Sequence, residues 1–588
     1  MAVENLITEH IDIWTSSVKT KSTSGRGSSK KQELYGVKKL RELILELAVR
    51  GKLVPQDPND EPASVLLDRI AEEKKKLIEN KKLRKSKDLS VISEKDTPYR
   101  IPSTWKWCYL SDLGSIIGGG TPKSNEDVYW TDKGVKWLTP ADLYGLKSKY
   151  IGSGKRDITN LGLEKSSAQL LPKGSVLFSS RAPIGYVAIT SNELATNQGF
   201  KSVVPIFQEL SEYIYYFLKR SGKFIDAEAS GTTFKEVSGT VVSKVLTPLP
   251  PIAEQHRIVA KVDELMALCD QLEQQTEASI EAHQVLVTTL LDTLTNSADA
   301  DELMQNWAKI SEHFDTLFTT EESIDQLKQT ILQLAVMGKL VPQDPSDEPA
   351  AELLKRIAEE KAQLVKEKKI KKEKALPPIA EDEKPFELPN GWEWCRLEDV
   401  VDIQSGITKG RKLAGRELKT IPYLSVANVQ RGYLILNNVK EIDLPIDELE
   451  KYSVEDGDLL ITEGGDWDKV GRTAIWRSEV PYMAHQNHVF KARPFLKEQS
   501  EAWLEMYLNG PFARKYFAGS SKQTTNLASI NKTQLRSCLI AVPPRDEKKE
   551  ISDRVQELIG MCDLLLEGIR ASLQTQLQLT DVIVDQAV

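Results

Sequence analysis

Sixteen residues, AVRGKLVPQDPNDEPA, run from Ala48 to Ala63 and return almost unchanged as AVMGKLVPQDPSDEPA from Ala335 to Ala350. The copies lie 287 positions apart, and only Arg50/Met337 and Asn59/Ser346 differ. A chain that writes one segment twice folds it twice, so whatever lies between must fit two equivalent frames. The likeness extends outward. Residues 40–82 are answered by 327–369, and IPSTWKWCYLSDL (101–113) by LPNGWEWCRLEDV (388–400), which pairs Trp105 and Trp107 with Trp392 and Trp394. It then fades: NQGFKSVVP (197–205) only faintly matches QNHVFKARP (486–494). It returns at TPLPPIAEQHRIVAKVDELMALCDQL (247–272) against IAVPPRDEKKEISDRVQELIGMCDLL (540–565), now 293 positions apart. Such a period is far longer than the ~20–50 residues of a solenoid unit. It describes a duplicated module with a divergent domain inside each copy.

The shared segments have helical spacing. Leu40, Leu43, Ile44 and Leu47 recur at i, i+3, i+4, i+7. Gly51, Pro55, Pro58 and Pro62 then break the helix, and a charged helix is expected to restart near Ala63. A second kind of helix is expected from Ile252, with Ile258, Val262, Leu265, Leu268, Cys269 and Leu272 on its stripe and Ile551, Val555, Leu558, Ile559, Cys562 and Leu565 on its twin. Apolar stripes of this length with charged flanks predict coiled-coil-like packing. At about 1.5 Å per residue a helix over 252–294 is about 65 Å long. The basic run KEKKIKKEK (366–374) reads as a solvated helix end and linker. The divergent regions mix short apolar stretches with loops such as GGGTPKSNED, SSRAPIG and SGTTFKE, which predicts mixed α/β domains. The expected fold class is α+β: two mixed α/β domains separated by long, coiled-coil-like antiparallel helices, with pseudo-two-fold duplication. Boundaries fall at 1–95, 96–250, 251–384, 385–543 and 544–588.

At 588 residues several domains are required. No apolar run reaches the ~18 residues of a membrane span, and the N-terminus lacks a signal-peptide pattern, so a cytoplasmic protein is expected. The formal charge is −8, but 96–250 carries 18 basic against 14 acidic side chains and 385–543 carries 20 against 21. The acidic surplus belongs to the helical segments, so net charge does not exclude nucleic acid as a ligand. The five cysteines form no CxxC pair, and four of them (Cys108/Cys395 and Cys269/Cys562) occupy matching repeat positions, as core residues do. No phosphate loop, no methyltransferase [NDS]PP[FYW] tetrapeptide and no metal-ligand spacing occurs. His485 and His488 in AHQNHVF have no counterpart in the first copy and read as a loop or DNA-facing pair. Asp466 and Asp468 lack the Glu-x-Lys of a nuclease. The four tryptophans read as core anchors.

This organisation resembles the specificity subunit of type I restriction–modification systems, most of all the subgroup typified by the EcoAI system. The resemblance spans roughly 35–588. It rests on the WxWC segment opening each divergent domain, on GGGTPKS, SSRAPIG, NQGFK and SGTTFKEVS in that order, and on LPPIAEQHRIV closing the first. It implies a non-catalytic subunit whose divergent domains are target recognition domains, each reading one half of a split site in double-stranded DNA. It implies methyltransferase subunits, two of them, on the helices, and restriction/translocase subunits for cleavage. No cofactor is expected on this chain, since S-adenosylmethionine, ATP and Mg belong to those partners.

Base reading needs paired donors and acceptors, and phosphate contact needs cations, hydroxyls or backbone N–H groups. The DNA-binding candidates in the first domain are Gly119, Gly120, Thr121, Lys123, Arg181, Asn197, Gln198, Thr232, Thr233 and Lys235. In the second they are Gln404, Ser405, Thr408, Lys409, Arg411, Arg472, Gln486, Asn487, Lys522, Gln523, Thr524, Thr525 and Asn526. There TEGGDWDKVG replaces SSRAPIG and the GGTP run is missing. Two rivals stand beside this reading: an orphan DNA-binding or scaffold protein without a methylation partner, and a nuclease hidden in the second divergent domain.

Overall fold

The repeated segment folds the same way twice. In the computed structural model the helix Tyr35–Val49 buries Leu40, Leu43, Ile44 and Leu47, and its repeat Glu321–Val336 buries Leu327, Thr330, Ile331 and Leu334. The structure describes residues 3–21, 31–83, 89–181, 183–229, 235–298, 300–413, 415–465, 469–524 and 527–588. Each helix stops at a glycine with φ +68°, Gly51 and Gly338. A Cβ there would press on the ring of Pro102 (2.5 Å) or Pro389 (2.6 Å), so both the backbone conformation and the close approach require glycine. The charged helices restart as expected, at Ala63–Glu79 and Ala350–Lys366. Their first N–H groups are tied to the tryptophan segments, Ala63 to the Thr104 carbonyl at 2.9 Å and Ala350 to the Gly391 carbonyl at 2.8 Å. Beyond Lys366 the basic run is mostly exposed, as a solvated helix end should be.

Each divergent domain is closed by a two-stranded antiparallel ribbon. Lys106–Tyr109 pairs with Leu246–Leu249, and Glu393–Arg396 pairs with Leu539–Val542. The chain therefore enters and leaves each domain at one place. The paired prolines after each ribbon (Pro250–Pro251, Pro543–Pro544) end the strand, and a long helix starts at once: Ile252–Thr295, 44 residues, and Arg545–Ala587, 43 residues.

The chain forms two units, 1–279 with 572–588, and 280–571. The first contains a five-stranded sheet in the order Gly114–Gly118, Lys201–Pro205, Val176–Ser180, Ile184–Thr190, Tyr150–Ile151. Beside it lies a four-stranded sheet of Ala195–Thr196, Val135–Leu138, Arg156–Ile158 and Trp130–Thr131. The second unit contains a four-stranded sheet in the order Val401–Ser405, Val489–Pro494, Leu459–Thr462, Thr473–Ile475, with two three-stranded sheets. The N-terminal segment, read from sequence as helical, holds a hairpin as well: Val18–Lys21 pairs with Lys31–Leu34 after two short helices. It is anchored by fully buried Trp14 and by Ser17 Oγ, 2.8 Å from Thr580 Oγ1.

The repeat is visible in single contacts. Arg41 is ion-paired with Asp270 at 2.6 Å, and the matching Lys328 with Asp563 at 2.5 Å. All five cysteines are free and buried. Tyr99 meets Trp107 edge-on at 5.1 Å, and Phe386 meets Trp394 edge-on at 5.0 Å. Trp105 and Trp392 are buried, as anchors rather than stacking platforms. Among the described residues no helix is long and apolar enough to cross a membrane.

Candidate nucleic-acid interface

In each unit the main sheet has two ends. One carries the closing ribbon. The other is built from the loops after the first strand, after the third and before the second. In the first unit that end holds Gly119–Thr121 (after Gly114–Gly118), Arg181 (after Val176–Ser180) and Asn197–Gly199 (before Lys201–Pro205). The Gly120 N–H donates to the Thr196 carbonyl at 2.8 Å, and the Gly120 carbonyl accepts from Trp137 Nε1 at 3.0 Å. A Cβ on Gly119 would strike the carbonyls of Thr196 and Asn197, so the loop lies flat against its neighbour because it lacks side chains. Thr121 is hydrogen-bonded to Gln198 through their side-chain oxygens. Asn197 Oδ1 accepts from the Gly199 N–H at 2.9 Å and so shapes its own turn. Arg181 pairs across a β-bridge with Glu236, whose carboxylate lies 3.7 Å from Arg181 and 3.2 Å from Lys201. Lys235, one residue away, is exposed, as is Lys123, whose carbonyl accepts from Trp130 Nε1 at 3.1 Å. Thr232 and Thr233 lie outside the described residues.

The second unit repeats the arrangement with other side chains. Ile407 N–H donates to the His485 carbonyl at 2.8 Å, as Gly120 does to Thr196, and a Cβ on Gly406 would strike the carbonyls of His485 and Gln486. Ser405, Thr408, Lys409, Gln486, Asn487 and Arg472 gather at this end. Lys409 lies 4.9 Å from the Tyr423 ring, and Arg472 donates to Gln430 Oε1 at 2.5 Å. Two further candidates are also engaged within the chain. Gln404 donates to Asp402 at 2.6 Å, and Arg411 pairs with Glu448 at 2.8 Å. Lys522–Thr524 form a strand against Leu527–Ser529, while Thr525 and Asn526, like Asp466 and Asp468, lie outside the described residues.

The histidine pair divides. His485 is not DNA-facing. It is fully buried in the strand Ala484–His485, its Nδ1 lies 2.7 Å from the Val489 carbonyl, and burial pulls its pKa down to about 4. Both residues of that strand are buried, a placement the polar neighbours in AHQNH concealed. His488 is exposed, with its Nδ1 2.5 Å from Glu463 Oε2.

Reading for amides, hydroxyls and cations passed over the carboxylates Glu236 and Glu463, which stand at these ends beside Arg181 and Lys201 and beside His488. The available signal was position: Glu463 follows the third strand of its sheet, where the first copy has Ser180. The two ends thus share a backbone and differ in side chains. They offer amides, hydroxyls, cations and a carboxylate, which is the chemistry of base-edge and phosphate recognition.

The chain matches the family model described as "Type I restriction modification DNA specificity domain" over residues 102–282 and 389–575. It is 42% identical to the type I restriction enzyme EcoAI specificity subunit of Escherichia coli, covering 100% of both chains. It is 40% identical to the EcoEI specificity subunit, also of Escherichia coli, again covering 100% of both. A chain from a solved type I restriction–modification system aligns over 83% of this chain and 99% of its own, at 19% identity and a TM-score of 0.47.

Proposed function

The chain belongs to the type I restriction–modification DNA specificity family, and on that premise we propose that each of its divergent domains reads one half of a split duplex-DNA site. It is a DNA sequence-recognition subunit of the EcoAI-like subgroup and is not the catalytic member of its complex. One observation carries the assignment of reading to the sheet ends. Loops 119–121 and 406–408 are docked by the same hydrogen bond and the same side-chain-free approach, yet the residues around them differ between copies. A shared backbone with divergent side chains suits two readers of two sequences.

The helical segments, alike in both copies, suit equivalent partners, and two methyltransferase subunits docked there account for a frame written twice. Each would take an adenine out of the duplex for methylation. S-adenosylmethionine, ATP and Mg²⁺ would be held by the methyltransferase and restriction subunits, in the cytoplasm. Phosphate contacts shared with those partners offset the −8 charge of this chain.

The test is a genome-wide map of N6-methyladenine in cells with and without this gene. Loss of one split motif, two short half-sites around an unspecified spacer, is the expected result. An unchanged map in cells that make the methyltransferase subunits would overturn the reading in favour of a scaffold without a methylation partner.

A further inference from the structure

Two backbone–backbone hydrogen bonds, and a third from a backbone N–H to a side-chain hydroxyl, fix one position identically in the two recognition ends. In the first domain the Ser180 N–H donates to the Gly199 carbonyl at 2.8 Å, the Ser180 carbonyl accepts from Val237 at 2.9 Å, and Tyr186 N–H reaches the preceding hydroxyl, Ser179 Oγ, at 2.8 Å. In the second the Glu463 N–H donates to the His488 carbonyl at 2.9 Å, the Glu463 carbonyl accepts from Ile530 at 2.9 Å, and Arg472 N–H reaches Thr462 Oγ1 at 3.0 Å. Glu463 therefore stands in the place of Ser180, and His488 in the place of Gly199. The first domain fills this place with a buried serine and a glycine. The second fills it with an ionisable pair, Glu463 Oε2 to His488 Nδ1 at 2.5 Å, with side-chain exposures of 27% and 55%.

We propose that Glu463 is a base-reading residue of the second recognition domain, held in position by His488, and that it accepts a hydrogen bond from the 4-amino group of a cytosine. The proposal rests on the recognition reading above and deepens it. A carboxylate on a surface that meets DNA is repelled by the phosphates, so its place there must be offset by a specific gain. A carboxylate only accepts, and cytosine is the base whose major-groove edge offers only an amine donor. Adenine sets an acceptor, N7, beside its amine, which suits an amide better than a carboxylate. Because the carboxylate cannot donate, His488 Nδ1 carries the proton of the 2.5 Å contact. That bond fixes one oxygen of Glu463 and leaves Oε1 for the base. His488 is a positioning residue.

The test uses the complex of this chain with its methyltransferase subunits, on duplexes carrying the split site found in the methylation map. Each cytosine of the half-site read by the second domain is replaced in turn by a 2-pyrimidinone nucleotide, which lacks the 4-amino group. At one position wild-type affinity is expected to fall roughly 5- to 150-fold, the value of one good base contact. The variant Glu463→Ala should be indifferent to that replacement, and its methylation map should be degenerate at that base pair alone. His488→Asn should discriminate at the same position, by less. Three results each overturn the proposal: a half-site without cytosine on either strand, wild-type indifference to the analogue at every position, or an unchanged motif for Glu463→Ala. The analogue series on wild type decides the matter even if the variants fail to assemble. A wild-type complex with no split motif sinks the recognition reading itself, whereas a wild-type motif insensitive to the analogue sinks only the role of Glu463.

Discussion

Trp105 is hydrogen-bonded to Glu254, its indole N–H donating at 2.8 Å, and the same bond recurs between Trp392 and Glu547 at 2.9 Å. Gln56 donates to the first carboxylate and Gln343 to the second, at 3.1 Å. Each glutamate lies in the first turn of a long helix, and each tryptophan opens a recognition domain. The pair thus pins the domain to the helix that leaves it.

Removing the donor leaves a buried carboxylate under-satisfied. Trp105→Phe and Trp392→Phe are each expected to cost about 1–3 kcal/mol, read as a lowered urea midpoint. Burial pushes the carboxyls of Glu254 and Glu547 up, against the hydrogen bonds that pull them down. A raised carboxylate contributes stability that is present below its unfolded pKa and lost as pH rises through the folded one. Glu254→Gln keeps an acceptor and has no charge to bury. It should therefore gain on wild type as pH rises from the carboxylate range to neutrality, and a pH-independent difference would contradict this.

Lys548 is the matching residue to Gln255 and is also buried, its Nζ 3.2 Å from the Gln499 carbonyl. Burial lowers its pKa to about 8. Between pH 8 and the ordinary lysine value near 10.5 the unfolded chain binds more protons than the folded one, so stability rises with pH across that window. Lys548→Gln, which copies the first repeat into the second, should stabilise the protein at pH 7 by roughly 1–3 kcal/mol and flatten the rise. A loss of thermal stability at pH 7 would count against this account of the site.

The ion pairs differ in worth. Asp270 and Asp563 are mostly exposed, so Asp270→Asn and Asp563→Asn should each change stability by less than about 1 kcal/mol. Glu46 accepts from Arg220 at 2.6 and 2.8 Å, with both side chains largely covered. Burial alone would raise the Glu46 carboxyl, but the bonds from Arg220 and Arg50 outweigh it and hold the pKa below its usual value. That contribution is present above the unfolded carboxylate pKa and is lost as pH falls through the folded one. Arg220→Ala should cost about 1–3 kcal/mol at pH 7 and less in acid, as measured by urea denaturation at both values.

The thiols should be silent. Burial raises Cys108, Cys395 and Cys538, and it lifts Cys269 to about 11. A thiol-reactive reagent followed by mass spectrometry should find all five cysteines unmodified in the native protein and all five labelled in urea. Fast native labelling of any one would show a different packing.

The sequence disclosed the frame more fully than the reading surface, for physical reasons. Gly51, the prolines and the 3.6-residue stripe act locally, so helix ends near Val49, Ala63 and Ile252 were legible. The hairpin before Tyr35 was not, because its strand residues carry no apolar alternation and its anchor, Trp14, is buried by tertiary contacts. The loops at the sheet ends were legible as glycine-rich and polar. Which of their side chains are available was not, since Gln404 and Arg411 find partners within the chain. Glu463 was passed over because it breaks the motif of the first copy. Its importance shows only when the two backbones are matched bond by bond.

The central claim is that two separate readers stand in one duplicated frame. The measurement that tests it most directly exchanges residues 110–245, the segment between the strands of the first closing ribbon, for the matching segment of a related specificity subunit, and maps N6-methyladenine in cells making the hybrid. The account predicts a motif in which one half-site is new, the other is untouched and the spacer is unchanged. A motif altered in both halves, or one in which neither half follows the exchanged segment, would contradict it.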